Sequence, residues 1–469
     1  MKGLLLFTLG LLCVTACFGS PRPEQPLLIR NARIISMTPG QTGTLEGHYA
    51  LIANGRLQAV APDSELRPPE GAAEIDATGA FLLPGLIDMH VHVWGPADLK
   101  AYPSFGVTTV RNLSGMPFHL DAQKRIEAGT LIGPRLFTSG PILNSPGPNA
   151  QANHKIVTTA EEARQAVRDQ REAGYELVKV YSNLTREAYE AVLDEARALG
   201  MEITGHPPEG VRSPGAPFEA PFDIAFEELL DDGFQCFEHM ESIVWHALGD
   251  ELDIDQAREV ARQIASAGVP VDPTLIAHHN LLAVAASQGS YLERPGVQLL
   301  NPFISSFERD VFDFWSRQPR DTRRDFEDFY LNATKIFQEE GVLLVAGSDA
   351  GIFTNIPGDA LLQELELLAR AGLTPRQVLE TATVNAAKVL GRDNELGQVA
   401  PGFAADLILV DEDPLQSPAA LRSLQAVVMR GAHYDKAALA RLREEAAQAS
   451  FEATQARVME ALDAQGTEL

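Results

Sequence analysis

Eight short apolar segments of strand length recur between Leu86 and Ser348, with helical segments rich in Ala, Glu and Arg standing between several of them. They are Leu86–His92, Val107–Leu113, Arg135–Ser139, Leu177–Tyr181, Glu202–His206, Gln235–His239, Val269–Leu275 and Val342–Ser348. Near-continuous apolar runs suit strands buried on both faces, the situation in parallel sheets covered by helices. The segments "TAEEARQAVRDQREAG", "TREAYEAVLDEARALG" and "DQAREVARQIASAG" read as amphipathic helices, and the last two end in glycine just before the next strand. Eight strand–helix units in series predict an α/β fold with a (β/α)8 TIM barrel over residues 83–395.

The flanks have a different texture. Residues 27–82 and 396–434 hold short β-like runs separated by turn residues, with Asn54-Gly55 the sharpest hairpin signal. These blocks predict one small composite β-sandwich built from both ends of the chain, followed by a C-terminal helical region over 435–469. Two stretches break the barrel rhythm: the Pro/Gly-rich Pro207–Pro221 and a helical, aromatic-rich insert over His278–Gln338. Long excursions in a compact domain are usually lids or interfaces. The first leaves directly after His206, so it is expected to shape access to a site without contributing chemistry.

Lys2 precedes a ten-residue apolar run, Gly3–Leu12, too short to span a bilayer as a mature helix. "VTAC", Val14 to Cys17, resembles the lipobox of bacterial lipoproteins. It predicts a signal peptide over 1–16, lipidation of Cys17, and a tether over 17–26. Phe18, rather than aspartate, follows the cysteine, which points to an exported protein anchored to the outer membrane and facing the periplasm. Membrane contact is then through the lipid alone. A net charge of −26 argues against a nucleic-acid partner. Of three cysteines only Cys236 lies in the body, so no internal disulfide forms there, and Cys236 reads as a small buried hydrophobe.

Functional residues of such barrels sit at the C-terminal ends of the strands. The first strand ends in His90 and His92, which share a face because residues two apart on a strand point the same way. The fourth carries Lys179, the fifth ends in His206, the sixth in His239, and Asp349 follows the eighth. Taken singly each has a plain role: a histidine as a hydrogen-bonded rim residue, Asp349 as a helix cap. Lys179 is the exception, because lysine within a run of Leu and Val is rarely buried without a partner. Together they gather six metal-compatible groups at one end of one barrel.

The motifs "LPGLIDMHVH", "GVTTVRN", "VKVY", "GHP", "EHM", "GSDA", "TATVNAAKVLG" and "GQVAPGFAADLILV" resemble the amidohydrolase superfamily, in the branch of imidazolonepropionase-like and prolidase-like enzymes. The resemblance implies two divalent metal ions, with zinc the default and manganese, iron or cobalt not excluded by spacing. His90, His92 and Asp349 would hold one ion, His206 and His239 the other. Lys179, carbamylated by CO2, would bridge them. A metal-bridging hydroxide would attack an amide carbonyl, and Asp349 would carry the proton to the leaving amine. The substrate implied is a dipeptide or N-acyl amino acid. A cyclic amide, ester or lactone is the alternative, and a non-catalytic envelope binding protein a remote one. Tyr181, two residues past Lys179, is a candidate substrate contact. Arg111 would pair either with a substrate carboxylate or with an internal acid beneath the site. His154, His278 and His279 have no assigned role, and a homo-oligomer stays open. The chain departs from the family's pattern at Asn112, where aspartate is frequent, in the long interval between His206 and His239, and at "VYSNLT".

Overall fold

The computed structural model describes residues 25–151, 153–210 and 222–466. Its centre is a mixed α/β body. Strands Leu86–Val91, Val107–Asn112 and Arg135–Thr138 pair in parallel, as do Leu177–Val180, Glu202–Gly205, Phe234–Glu238 and Val271–Asp272. Parallel bridges Ser139–Leu177, Val271–Leu344 and Val91–Ala350 join these two sets, so that the pairings run in a closed circuit through eight segments. Helices Ala160–Ala173, Arg186–Leu199 and Ile254–Ala267 end on Gly174, Gly200 and Gly268, each in the left-handed conformation of a C-cap.

Two expected strands are altered. The seventh shrinks from Val269–Leu275 to Val271–Asp272, because Pro270 and Pro273 flank it and neither has an N–H to give a ladder. The eighth, Val342–Ser348, forms no continuous ladder. The Thr381 and Ala382 carbonyls take the N–H groups of Ala346 and Ile87, and the segment is stitched in singly: Val345 N–H to Val271 O at 3.0 Å, Met89 N–H to Ala346 O at 2.9 Å. Gly347 and Gly351 permit this tight passage. A Cβ on Gly347 would lie 2.0 Å from Asp272 Oδ2, and one on Gly351, at φ +103°, 2.0 Å from the His92 carbonyl.

Strands from both chain ends share one sheet, in the order Ala432–Asp435, Leu424–Met429, Leu407–Val410, Phe81–Pro84, Leu27–Ile34, Leu45–Ala53, Arg56–Pro62. The β-domain expected from both chain ends is thus one continuously hydrogen-bonded set of strands. Ala73–Asp76 and Phe81–Pro84 both pair in parallel with successive halves of Leu27–Ile34. Ile29, Ile52, Leu82, Leu407 and Val428 belong to its buried core. Asn54 and Gly55 both have positive φ at the hairpin, as the sequence suggested. The insert comprises helices Leu275–Ser287, Pro302–Phe307, Arg309–Ser316 and Arg324–Glu339, and the chain closes with Lys436–Ala446 and Phe451–Ala464.

Candidate metal centre

The circuit brings the six groups named from the sequence to one place. His92 Nε2 lies 2.9 Å and His90 Nε2 3.4 Å from Asp349 Oδ1. Lys179 Nζ lies 3.5 Å from His90 Nε2. The His239 ring stands 4.7 Å from that of His90 and 4.4 Å from that of His206. One donor atom each from His90, His239 and Asp349 falls within 4.8 Å of the others. Asp349 caps no helix, since the next begins at Asp359 behind Gly358.

Second contacts fix the rings. His90 Nδ1 faces Glu238 Oε2 at 3.1 Å, His92 Nδ1 faces Ser114 Oγ at 3.0 Å, and His239 Nδ1 faces Thr274 Oγ1 at 2.5 Å. With Nδ1 engaged, the Nε2 atoms are left to converge, the arrangement that orients histidine ligands. His206 Nδ1 is buried and has no hydrogen-bond partner among the described residues, an orphan that a metal ion would satisfy. Burial holds His90 and His206 well below the ordinary imidazole pKa and His239 down at about 3, so these rings are neutral, as ligation requires. The donor set therefore fits divalent ions of the zinc type.

Lys179 is 1% exposed. Burial pulls its ammonium down to about 8, against the opposing charges of Glu238 and Asp349. Burial also raises the Asp349 carboxyl, but the hydrogen bond and charge of His92, with the charges of His239 and Lys179, outweigh it and hold the group below the usual value. Backbone strain concentrates here as well: His239, Thr274 and Asp349 have φ of +70°, +42° and +52°. Such conformations cost about 1–3 kcal/mol each and persist where the surroundings enforce them.

Arg111 is corrected as a substrate contact. It is fully buried, and Nε donates to Met89 O at 2.7 Å, Nη1 to Gln235 Oε1 at 2.7 Å and Nη2 to Glu238 Oε1 at 2.6 Å. Of its two sequence readings the internal pair holds. Tyr181 borders a cavity of about 760 Å³ that opens from His206. Its ring packs at 3.9 Å from that of His206 and 4.6 Å from that of His154. His278 lines the same cavity, whereas His279 pairs with Glu327 at 2.5 Å. Glu209 and Gly210 of the Pro207–Pro221 loop reach the cavity; residues 211–221 lie outside the described residues, as do the leader and Cys17. Asn112 ties its strand to Arg135–Thr138 and to the segment just past Leu86–Val91, accepting from Val93 N–H at 2.9 Å and donating to Thr138 Oγ1 at 3.0 Å.

Sequence reasoning passed over Glu238, Ser114, Thr274 and Asp88. Asp88 accepts from the Ser348 hydroxyl at 2.6 Å and from Ser348 N–H at 3.0 Å, anchoring the turn that presents Asp349. A signal existed for two of them: a carboxylate inside an otherwise apolar strand, as at Asp88 and Glu238, calls for a buried partner just as Lys179 does.

Comparison with known proteins adds the lineage. Residues 81–433 match the model of the amidohydrolase family. An imidazolonepropionase of Hahella chejuensis is 25% identical over 416 residues, spanning 83% of this chain and 94% of the relative. Among solved structures, a bottromycin amidohydrolase superposes with a TM-score of 0.73 at 25% identity, covering 92% of each chain. A Xaa-Pro dipeptidase with bound methionine gives 0.62 at 20% identity, covering 88% of this chain and all of that one.

Proposed function

The chain belongs to the amidohydrolase family, and from that premise we propose that it is a metal-dependent enzyme cleaving an amide or peptide bond of a small peptide-like molecule. Family membership supports a hydrolase acting on carbon–nitrogen bonds, and the family with its structural neighbours implies a TIM-barrel fold. The observation carrying the finer reading is the convergence of the His90 and His92 Nε2 atoms on Asp349 Oδ1, with the Nδ1 atoms held by Glu238 and Ser114.

In this reading His90, His92 and Asp349 hold one ion, His206 and His239 the second. Bound there, divalent ions supply Lewis acidity, lowering the pKa of water and polarising a carbonyl. Asp349, kept ionised by its neighbours, accepts the proton of the attacking water and passes it to the leaving nitrogen. Lys179, its ammonium destabilised by burial, is the group suited to carbamylation: the neutral amine adds to CO2, an N–C bond forms, and one proton leaves to solvent. The product is an anion with two oxygens, able to bridge two cations where an ammonium would repel them. The cavity beside His206 receives the substrate, with Tyr181 on its wall. The proposal extends to export and lipid anchoring through Cys17.

Elemental analysis of zinc-loaded protein, paired with an assay against a panel of dipeptides and acylated amino acids, tests this. About two equivalents of metal and hydrolysis of at least one member support it. Stoichiometric metal without hydrolysis of any amide would favour a binding protein instead.

A further inference from the structure

The turn over 349–355, which carries Asp349, takes positive φ at Asp349 (+52°), Gly351 (+103°), Phe353 (+48°) and Thr354 (+63°). Residues other than glycine rarely adopt this conformation, and it persists only where neighbours enforce it. The last three residues of the turn are each held by a different residue of the insert. Glu308, between helices Pro302–Phe307 and Arg309–Ser316, accepts the Phe353 N–H on both carboxylate oxygens, at 3.1 and 3.0 Å. Arg294 donates from Nη1 to Thr354 Oγ1 at 2.6 Å and from Nη2 to the Thr354 carbonyl. Asn280, on helix Leu275–Ser287, donates from Nδ2 to Asn355 Oδ1 at 2.8 Å. Asn355 in turn donates from Nδ2 to the Asp349 carbonyl at 3.2 Å, and its own carbonyl takes the Gly351 N–H at 2.9 Å. Asn280, Thr354 and Asn355 are fully buried.

A carbonyl can only accept, so the Asp349 carbonyl fixes which way the Asn355 amide faces. The Asn355 oxygen then points at Asn280 and requires a donor there, which leaves Asn280 Oδ1 to accept the Tyr291 hydroxyl at 2.6 Å. Donor meets acceptor at every step from Tyr291 through Asn280 and Asn355 to Asp349. We infer that Asn280 is a positioning residue for Asp349, and that the insert clamps this turn so that the carboxylate stays where His90 and His92 converge on it. The inference rests on Asp349 being the ligand and base of the proposed hydrolase. A buried polar chain with every member satisfied fixes one geometry, which apolar packing of the insert against the barrel would not. The same helix lines the cavity with His278 and Leu281, so the wall that borders the substrate also holds the base.

Hydrogen exchange over 349–355, followed by mass spectrometry on metal-free protein, reads the clamp itself. Competition with a coloured chelator for zinc reads its consequence. Asn280→Asp keeps the size of the side chain and removes the donor. It should lower the protection of the Gly351 and Asn355 amides about tenfold and weaken zinc binding about tenfold. Tyr291→Phe removes only the far end of the chain and should shift both readings the same way by about threefold. It decides the matter where Asn280→Asp does not fold. His279→Gln is the control, because it breaks the His279–Glu327 pair on the same helix without touching the turn. It should lower Tm and leave both readings unchanged. The inference is overturned if 349–355 keeps its protection in the Asn280 and Tyr291 variants, if zinc binding is unchanged once protection is lost, or if His279→Gln loosens turn and metal as much. Loss of protection in a chain that takes up no zinc, or takes it up and cleaves no amide, would instead sink the metal-dependent hydrolase reading and leave the clamp standing.

Discussion

Glu238 and His90 meet at 3.1 Å inside the protein, and the same carboxylate takes the Arg111 guanidinium on its other oxygen at 2.6 Å. One buried acid thus joins a candidate ligand to a charge with no route to solvent. Glu238→Gln should cost about 10–100-fold in metal affinity through the loosened imidazole. It should also destabilise the fold by about 3–5 kcal/mol, because Arg111 is left buried and unpaired. Competition with a coloured chelator reads the first effect, and chemical denaturation the second.

Lys179→Ala removes the proposed bridge. Metal content should fall from two equivalents toward one or fewer, by elemental analysis, and reconstitution of the unaltered protein should slow when bicarbonate and CO2 are excluded. A variant keeping full metal and full activity would show that Lys179 fills space only.

Asp349→Asn keeps the size of the side chain but loses the base. A fall of about 10²–10⁴ in kcat/KM is expected, with the larger share in kcat.

Glu327 tests electrostatics away from the centre. Burial raises its carboxyl, but hydrogen bonding and charge from His279 and Arg370 outweigh this and bring it down to about 2. The folded value lies below the unfolded one near 4.5, so the folded state binds fewer protons between them. The stabilisation is present above about pH 4.5 and drains away as pH falls toward 2. Thermal melts of the wild type and Glu327→Gln should differ at pH 6 and converge by about pH 2–3. A gap that stays constant across that range would assign the effect to packing.

Cys17→Ser should leave the protein unprocessed at its leader and shift it out of the lipid-anchored membrane fraction, read by fractionation and the mass of the N-terminal peptide. Unchanged processing and membrane retention would remove the lipid anchor from the proposal.

The site was legible where chemistry is carried by residue type at a strand end. His90, His92, Lys179, His206, His239 and Asp349 each stand out against apolar surroundings. What holds them was less legible, since Ser114, Thr274 and Glu238 act through partners from other strands. Arg111 illustrates the limit: its charge invited a substrate role, and only three-dimensional burial decides for the internal pair. The eighth strand shows the same limit for the backbone, because the competing Thr381 and Ala382 carbonyls come from a segment whose own pattern reads as helix. Strand alternation reports burial, not which neighbour takes each N–H.

Arg56 donates to the Gly402 carbonyl at 2.8 Å across 346 positions of sequence, and Phe81–Pro84 pairs with Leu407–Val410 in the same shared sheet. The order of synthesis therefore matters. The N-terminal strands emerge first and then wait, with the Phe81–Pro84 edge uncovered, until nearly the whole chain has followed. Long-range pairing of this kind is slow and leaves a sticky edge meanwhile. A chain that stalls or is clipped before Leu407 should then be lost to aggregation or proteolysis, even with every metal-site residue already made, so the last strands act as a checkpoint on completeness.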